Sequence, residues 1–343
     1  MTAVLEHALI GRLAAALPRS PRQINRLHES DAELVSLPGS ELILAVTTDA
    51  LVEELATGLY DDPWHIGWML VTVNASDLAA VGAEPLGLLL CESLPSDTSA
   101  EWIAALQRGI GDASLVTGLP VLGGDTNSAP TPHLAGTAIG LVSGLPPLTR
   151  CGCRAGDLLY ASARLGTGGA FALTRLLPGI AGHGAFPFRP TARIAEGQLL
   201  RGRATCCMDT SDGAIATLDE LMTRNDVGFL LDVPVPEWTN RRATAVAHAA
   251  GLPPWMLHAG PHGEFELLFT VPPDREADLV HTAATIGWDP VRIGMAVPEH
   301  TLSFHLDGAP RSIDARRIRN LFTECGGDAR QYVAQLAQVV PAA

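Results

Sequence analysis

Apolar positions at Val4, Leu5, Ala8, Leu9, Leu13 and Leu17 fall near helical spacing, which predicts an amphipathic helix stopped by Pro18. The pattern then predicts a strand over 41–48 and a helix over 62–82 with Pro63 in its first turn. A buried strand over 86–94, a helix over 99–117 and a strand over 133–143 follow. Gly144, Pro146 and Pro147 break the pattern, and the domain boundary is placed there, with 1–148 as an N-terminal domain. From Asp157 the alternation restarts with a strand to Ala163, a glycine-rich turn at Gly166, Gly168 and Gly169, and a helix to Leu177. A glycine- and proline-rich loop runs to about Pro190, and helices then alternate with strands near Thr205, Phe229, Glu266 and Val291. Residues 149–320 form a C-terminal domain. Residues 321–343 are a tail, an amphipathic helix or frayed, with no chemistry assigned. Two α+β halves without an internal repeat imply a cleft between them.

Composition narrows the function. A chain of 343 residues with 47% apolar and 17% charged positions is that of a compact enzyme of two domains. A net charge of -14 argues against a nucleic-acid groove, which needs clustered cations. All 23 basic residues are Arg, and the absence of Lys rules out a Walker lysine, a Schiff base and a kinase strand lysine together. A nucleotide triphosphate would then have to be neutralised by metal ions on carboxylates, with Arg and backbone amides in support. Cys91, Cys151, Cys153, Cys206, Cys207 and Cys325 lack the spacing of a zinc site or a disulfide framework, so they are read as reduced thiols. No apolar run approaches the roughly 20 residues that span a bilayer, and the chain opens on an amphipathic stretch and not a leader, so a cytoplasmic protein without a membrane partner is expected.

The informative acids lie at the ends of apolar segments. Thr47-Thr48-Asp49 closes a strand, and Asn74-Ala75-Ser76-Asp77 interrupts an apolar helix, where a carboxylate is costly unless paired or bound to a cation. Gly123-Gly124-Asp125-Thr126-Asn127 follows the apolar run Pro120-Val121-Leu122, and its glycines would let amides approach phosphates. Asp209-Thr210-Ser211-Asp212-Gly213 joins a strand to a helix. Singly, each has an ordinary reading: Ser211 or Asp212 caps the helix, and Asp125 is a turn residue. Jointly they have the composition of a site for a hard cation such as magnesium.

These segments resemble the motifs of thiamine-monophosphate kinases, within the aminoimidazole-ribonucleotide synthetase superfamily, in order from about residue 29 to about 300. Ser30-Asp31-Ala32 is similar to the family's Gly-Asp-Asp-Ala turn, and 48–53 and 73–83 are similar to its Thr-Asp-x-Leu-Val strand end and best-known helix. Gly123-Gly124-Asp125-Thr126, Arg150 with Gly156-Asp157, Arg189-Pro190 with Arg193, and 209–213 continue the match. The resemblance implies a two-domain PurM-like fold: a ferredoxin-like N-terminal domain that dimerises and an α+β C-terminal domain, with ATP in the cleft. It implies magnesium on Asp31, Thr47, Thr48, Asp49, Asp77, Asp125, Asp209 and Asp212. ATP would contact Gly123, Gly124, Asp125, Thr126, Arg150 and Ser211, and Asp125 and Asp212 would stand closest to the chemistry.

The departures fall on the acceptor side. Ala56 stands where the family has a His, and Pro261-His262-Gly263-Glu264-Phe265-Glu266-Leu267 puts Gly263 in place of the acceptor-binding Glu. No Gly-aromatic-x-His-Phe occurs near 316–322, and Ser30 replaces the first of two paired acids. The reading is therefore ATP-dependent phosphoryl transfer to a small molecule other than thiamine monophosphate, with Ala56, His262 and Gly263 around the acceptor. His262 has an ordinary reading as a solvated loop residue. Three alternatives stay open: genuine thiamine-monophosphate kinase activity, activation of an amide or carbamoyl oxygen with release of phosphate, and nucleotide binding without turnover.

Overall fold

The computed structural model describes residues 4–177, 179, 186–306 and 309–339. Residues 178 and 180–185 of the expected glycine- and proline-rich loop, and 340–343 of the tail, lie outside the described residues.

The first half builds a five-stranded sheet in the order β1-β2-β5-β3-β4. Its strands are β1 (Glu33–Ser36), β2 (Ile43–Leu51), β3 (Glu84–Leu94), β4 (Val121–Ser128) and β5 (His133–Val142). The β3/β4 pair is parallel and the other pairs are antiparallel. Along β5 buried positions alternate strictly with half-exposed ones, the period of a sheet covered on one face.

After α1 (Leu5–Ala15) and the short α2 (Glu53–Ala56) comes α3 (Pro63–Ala80), which is apolar almost all round, and from Ile66 to Ala80 only Asp77 escapes burial. A helix without a polar face has to be covered on every side. Here β2 and β5 lie against it, and the second half meets it through the helix Ile194–Leu200 and the strand Cys206–Asp209. Asp62 caps it, accepting from His65 N at 2.8 Å. Its contact with α4 (Ala100–Thr117) is backbone to backbone: a Cβ at Gly67 would sit 2.1 Å from Leu106 O, and one at Gly109 1.9 Å from Trp64 O. Any side chain at either position would push the two helices apart.

The second half is a seven-stranded sheet, β12-β11-β8-β10-β6-β9-β7. In chain order its strands are β6 (Leu158–Ala161), β7 (Cys206–Asp209), β8 (Gly228–Leu231), β9 (Leu267–Val271), β10 (Val291–Val297), β11 (Leu302–Leu306) and β12 (Ala309–Ile313). All pairs are antiparallel except β11 with β8. Two mixed sheets with their helices make the α+β architecture that the residue pattern predicts.

Four strands escape that pattern: β1, β4, β11 and β12. The stretch 123–127 is extended, part of β4, and not a turn. β2 runs on to Leu51, so Thr47, Thr48 and Asp49 lie inside a strand and not at its end. The expected start of the tail at 321 falls inside the helix Ala315–Glu324, and a further helix, Ala329–Leu336, follows. The six cysteines are free, and no helix among the described residues is long and apolar enough to cross a membrane.

Candidate active site

Local structure aims the acids at one point. β2 presents Thr47, Thr48 and Asp49, α3 presents Asp77, the turn before β1 presents Asp31, and the loop after β7 presents Ser211 and Asp212. With Arg150 these residues line one cavity of about 360 Å³. Asp209 stands behind it: Asp31, Asp77 and Asp209 each bring a carboxylate oxygen within 4.8 Å of the others.

The site is braced across the two sheets. Ser76 Oγ on α3 donates to Asp209 Oδ2 at 2.5 Å, while Ser211 Oγ donates to Asp209 Oδ1 at 3.0 Å. Asn74 ties α3 to β2, its Oδ1 accepting from Asp49 N at 3.1 Å and its Nδ2 donating to Leu70 O at 2.9 Å. The Thr47 hydroxyl donates to Asp77 Oδ2. Arg150 Nη2 donates to Asp31 Oδ1 at 3.0 Å, and Asp31 Oδ2 is buried without a partner.

So many carboxylates with so little positive charge cannot all ionise freely. Burial, then the charges of Asp212, Glu54 and Asp31, pushes Asp49 up to about 6. Burial and Asp31 push Asp209 up to about 7. Asp77 is pushed well above the usual carboxylate range by burial, Asp49, Asp209 and Asp31. Burial also raises Asp212, against the pull of Arg319 and Arg150. Three converging carboxylates, an orphaned buried oxygen and hydroxyls alongside form an all-oxygen donor set deficient in positive charge, which fits a hard divalent cation.

Not every expected residue converges here. Gly123, Gly124, Asp125 and Thr126 lie on β4, an exposed edge strand, outside the walls of this cavity, and Asp125 Oδ2 accepts from Asn127 Nδ2 at 2.7 Å. Asp212 and Ser211 do not cap the following helix Ala214–Asn225: Gly213, at φ 85, holds the cap position, and no side chain caps it. The carboxylate of Asp212 is thereby left to face the cavity. The glycine-rich turn holds a carboxyl group of the chain's own, since Glu264 Oε2 accepts from Gly166 N at 2.7 Å and Gly168 N at 3.1 Å.

A second cavity of about 140 Å³ adjoins the first, and Glu54, Pro261 and His262 belong to both. Its other walls are mostly apolar, among them Leu173, Leu177, Met256, Tyr332 and Leu336. Ala56 is exposed and lines neither cavity; its neighbours Glu53, Glu54 and Thr57 do the lining. The expectation of a solvated His262 is overturned: the ring is buried among Tyr60, Phe171 and Phe188, with Nε2 2.6 Å from the Tyr60 hydroxyl, and burial pulls it down to about 4. Gly263 is buried against the acidic loop, its N–H donating to Ser211 O at 2.8 Å. A Cβ there would sit 1.4 Å from Thr210 O.

Sequence reasoning missed Arg319, His7, His28 and Glu54, which also line the acidic cavity. Nothing in their local pattern marks them, because each is an ordinary polar position of a helix or turn until the fold closes.

The segment 29–142 matches the family model of the AIR synthase related protein, N-terminal domain. The thiamine-monophosphate kinase of Escherichia coli strain K12 is 30% identical over 317 residues, covering 90% of this chain and 96% of that protein. Among solved structures, AaThiL complexed with AMPPCP and TMP superposes with a TM-score of 0.71 at 22% identity, over 91% of this chain and 98% of the other. The hydrogenase maturation protein HypE of E. coli superposes with a TM-score of 0.67 at 20% identity, over 90% and 97%. At those identities the two structures speak for the shared fold alone.

Proposed function

This chain belongs to the thiamine-monophosphate kinase family, and from that premise we propose that it is an ATP-dependent kinase, magnesium-assisted, whose phosphate acceptor differs from thiamine monophosphate. The observation that carries the reading is the meeting of Asp31, Asp49, Asp77 and Asp212 in one cavity, backed by Asp209 and sharing wall residues with a mostly apolar second cavity. Bound magnesium would supply charge neutralisation and alignment of the polyphosphate. Asp31, Asp77 and Asp209 would hold it, with Asp49, Asp212 and the Thr47 and Thr48 hydroxyls around it. Arg150 and Ser211 face the same space and would position the nucleotide. In a transfer of this kind the acceptor oxygen bonds to the terminal phosphorus as the bridge to ADP breaks, so the protein's work is positioning and charge.

Gly263 supports a changed acceptor. The family's Glu at this place has no room here, because even a Cβ would collide with the backbone of Thr210. What adjoins the acidic cavity is a mostly apolar space that shares Glu54, Pro261 and His262 with it. Genuine thiamine-monophosphate kinase activity is the second reading, favoured by 30% identity across nearly the whole relative. A coupled ADP-release assay separates them: turnover of thiamine monophosphate at ordinary enzyme rates supports the second and ends the first.

We further place the homodimer contact on the face of β3 and β4, where Leu86, Leu89, Val121 and Leu122 are exposed beside Asp125. An apolar strip on an edge strand calls for a cover. Asp125 would then serve a nucleotide site from across the interface.

A further inference from the structure

The helix Ala315–Glu324 packs on Ala214–Asn225 through ions. Arg319 Nη1 donates to Glu220 Oε2 at 2.8 Å and lies 3.5 Å from Asp219 Oδ2. Arg316 Nε donates to Asp219 Oδ2 at 2.7 Å and Arg224 Nε to Glu220 Oε1 at 2.6 Å. Arg316, Arg319 and Arg224 thus share the two carboxylates of Asp219 and Glu220. Burial would neutralise Glu220, but hydrogen bonds from Arg319 and Arg224 hold it down at about 2, and the pairs persist at any working pH.

Arg319 is also gripped from the other side. Its Nη2 lies 3.2 Å from His7 Nε2, and the His7 ring stacks on His28 at 4.0 Å between centroids. Burial brings His7 down to about 4, so at neutral pH it is an uncharged acceptor for the guanidinium. A guanidinium fixed on two edges is pre-organised, unlike a free surface arginine.

The direction it faces gives it a role. Arg319, His7 and His28 line the acidic cavity, and among the described residues Arg150 and Arg319 are the arginines in its wall. Arg150 is held by Asp31 at 3.0 Å as Arg319 is held by Glu220 at 2.8 Å, so both present fixed cations to this space. A tether between two helices has no need to reach the cavity.

We propose that Arg319 is a phosphate-contacting residue, its guanidinium meeting the terminal phosphoryl group of the nucleotide and supplying a second fixed positive charge, beside that of Arg150, in this lysine-free chain. The inference rests on the ATP-dependent reading of the acidic cavity. Arg319 gives up no proton and forms no bond to phosphorus; its N–H groups bond the oxygens on which charge gathers as the bridge to ADP breaks.

The test compares Mg·ADP with Mg·AMPPCP by titration calorimetry on the full chain, in wild type, Arg319→Gln, Arg319→Lys and Asp77→Asn. Arg319→Gln should weaken Mg·AMPPCP at least about tenfold while Mg·ADP changes by less than about threefold, and Arg319→Lys should recover part of the loss. Equal losses for both nucleotides, or no loss for either, would overturn the proposal, the first pointing to a tether and the second to an idle side chain. Asp77→Asn keeps the two ideas apart. If it leaves Mg·nucleotide binding intact, the reading of the cavity fails; if it abolishes binding and Arg319→Gln does nothing selective, only the role of Arg319 falls.

Discussion

Restoring a side chain at Gly263 probes how the acceptor side has been rebuilt. A Cβ at this position would lie 1.4 Å from Thr210 O and 2.8 Å from Gly213 N, both backbone atoms of the loop that carries Ser211 and Asp212. Neither can turn aside as a flexible side chain would, so Gly263→Ala must displace the loop and strain the bond from Gly263 N to Ser211 O. Overpacking of this kind costs about 3 kcal/mol. At about 2 °C per kcal/mol for a chain of this size, the melting temperature should fall by roughly 6 °C. Gly263→Glu should do at least as much damage, although Glu is what the family carries there. Differential scanning calorimetry reads the stability, and Mg·AMPPCP titration reads the loop, where a loss of about tenfold is expected if Asp212 moves. A Gly263→Ala protein that melts with wild type and binds normally would refute the claim that the backbone closes this position, and with it the argument against a restored acceptor Glu.

Other outcomes follow from the same geometry. In metal-free protein, Asp49 and Asp209 are held above their unfolded values, so their contribution to stability is full below about pH 4 and is lost as pH rises toward 7. Because the buried, neutral His7 and His262 act in the opposite direction over much of this window, the readout is the difference from Asp49→Asn/Asp209→Asn: wild type should lose melting temperature relative to that variant as pH rises, magnesium at pH 7.5 should offset the loss, and parallel profiles would contradict the crowding of the acids. Ser76→Ala removes the 2.5 Å hydrogen bond to Asp209 and should cost roughly tenfold in magnesium affinity, measured by titration. Glu264→Ala strands the amides of Gly166 and Gly168 and should cost about 2 kcal/mol in urea unfolding, while Glu264→Gln, which keeps an acceptor oxygen, should lose less. If Asp125 serves across the dimer, Asp77→Asn and Asp125→Asn subunits should each fail to bind Mg·AMPPCP alone and recover part of the capacity when mixed; no recovery would put Asp125 outside the shared site.

How much of this was legible beforehand depended on the kind of signal. Asp77 stood out because a carboxylate inside an apolar helix needs a reason, and the reason is the cavity. β4 was hidden because Gly123-Gly124-Asp125-Thr126-Asn127 has no apolar alternation; its hydrogen bonds to β3 come from backbone, which carries no residue code. Asp212 was ambiguous because Asp before a helix is an ordinary cap, and only the φ of 85 at Gly213 shows that the cap position belongs to its neighbour. His262 was misjudged because a polar residue between Pro261 and Gly263 looks like a loop tip, whereas the aromatics that bury it come from distant segments. Arg319 had no local mark at all, since its partners on Ala214–Asn225 lie about a hundred positions away and its cavity exists only after both halves close.

The central claim is that Asp31, Asp77 and Asp209 converge to hold divalent cations against a polyphosphate. Crystals grown with manganese in place of magnesium, together with AMPPCP, address it through anomalous scattering. The account predicts manganese peaks among these three carboxylates with the polyphosphate beside them, and ordered AMPPCP with manganese bound elsewhere would contradict it.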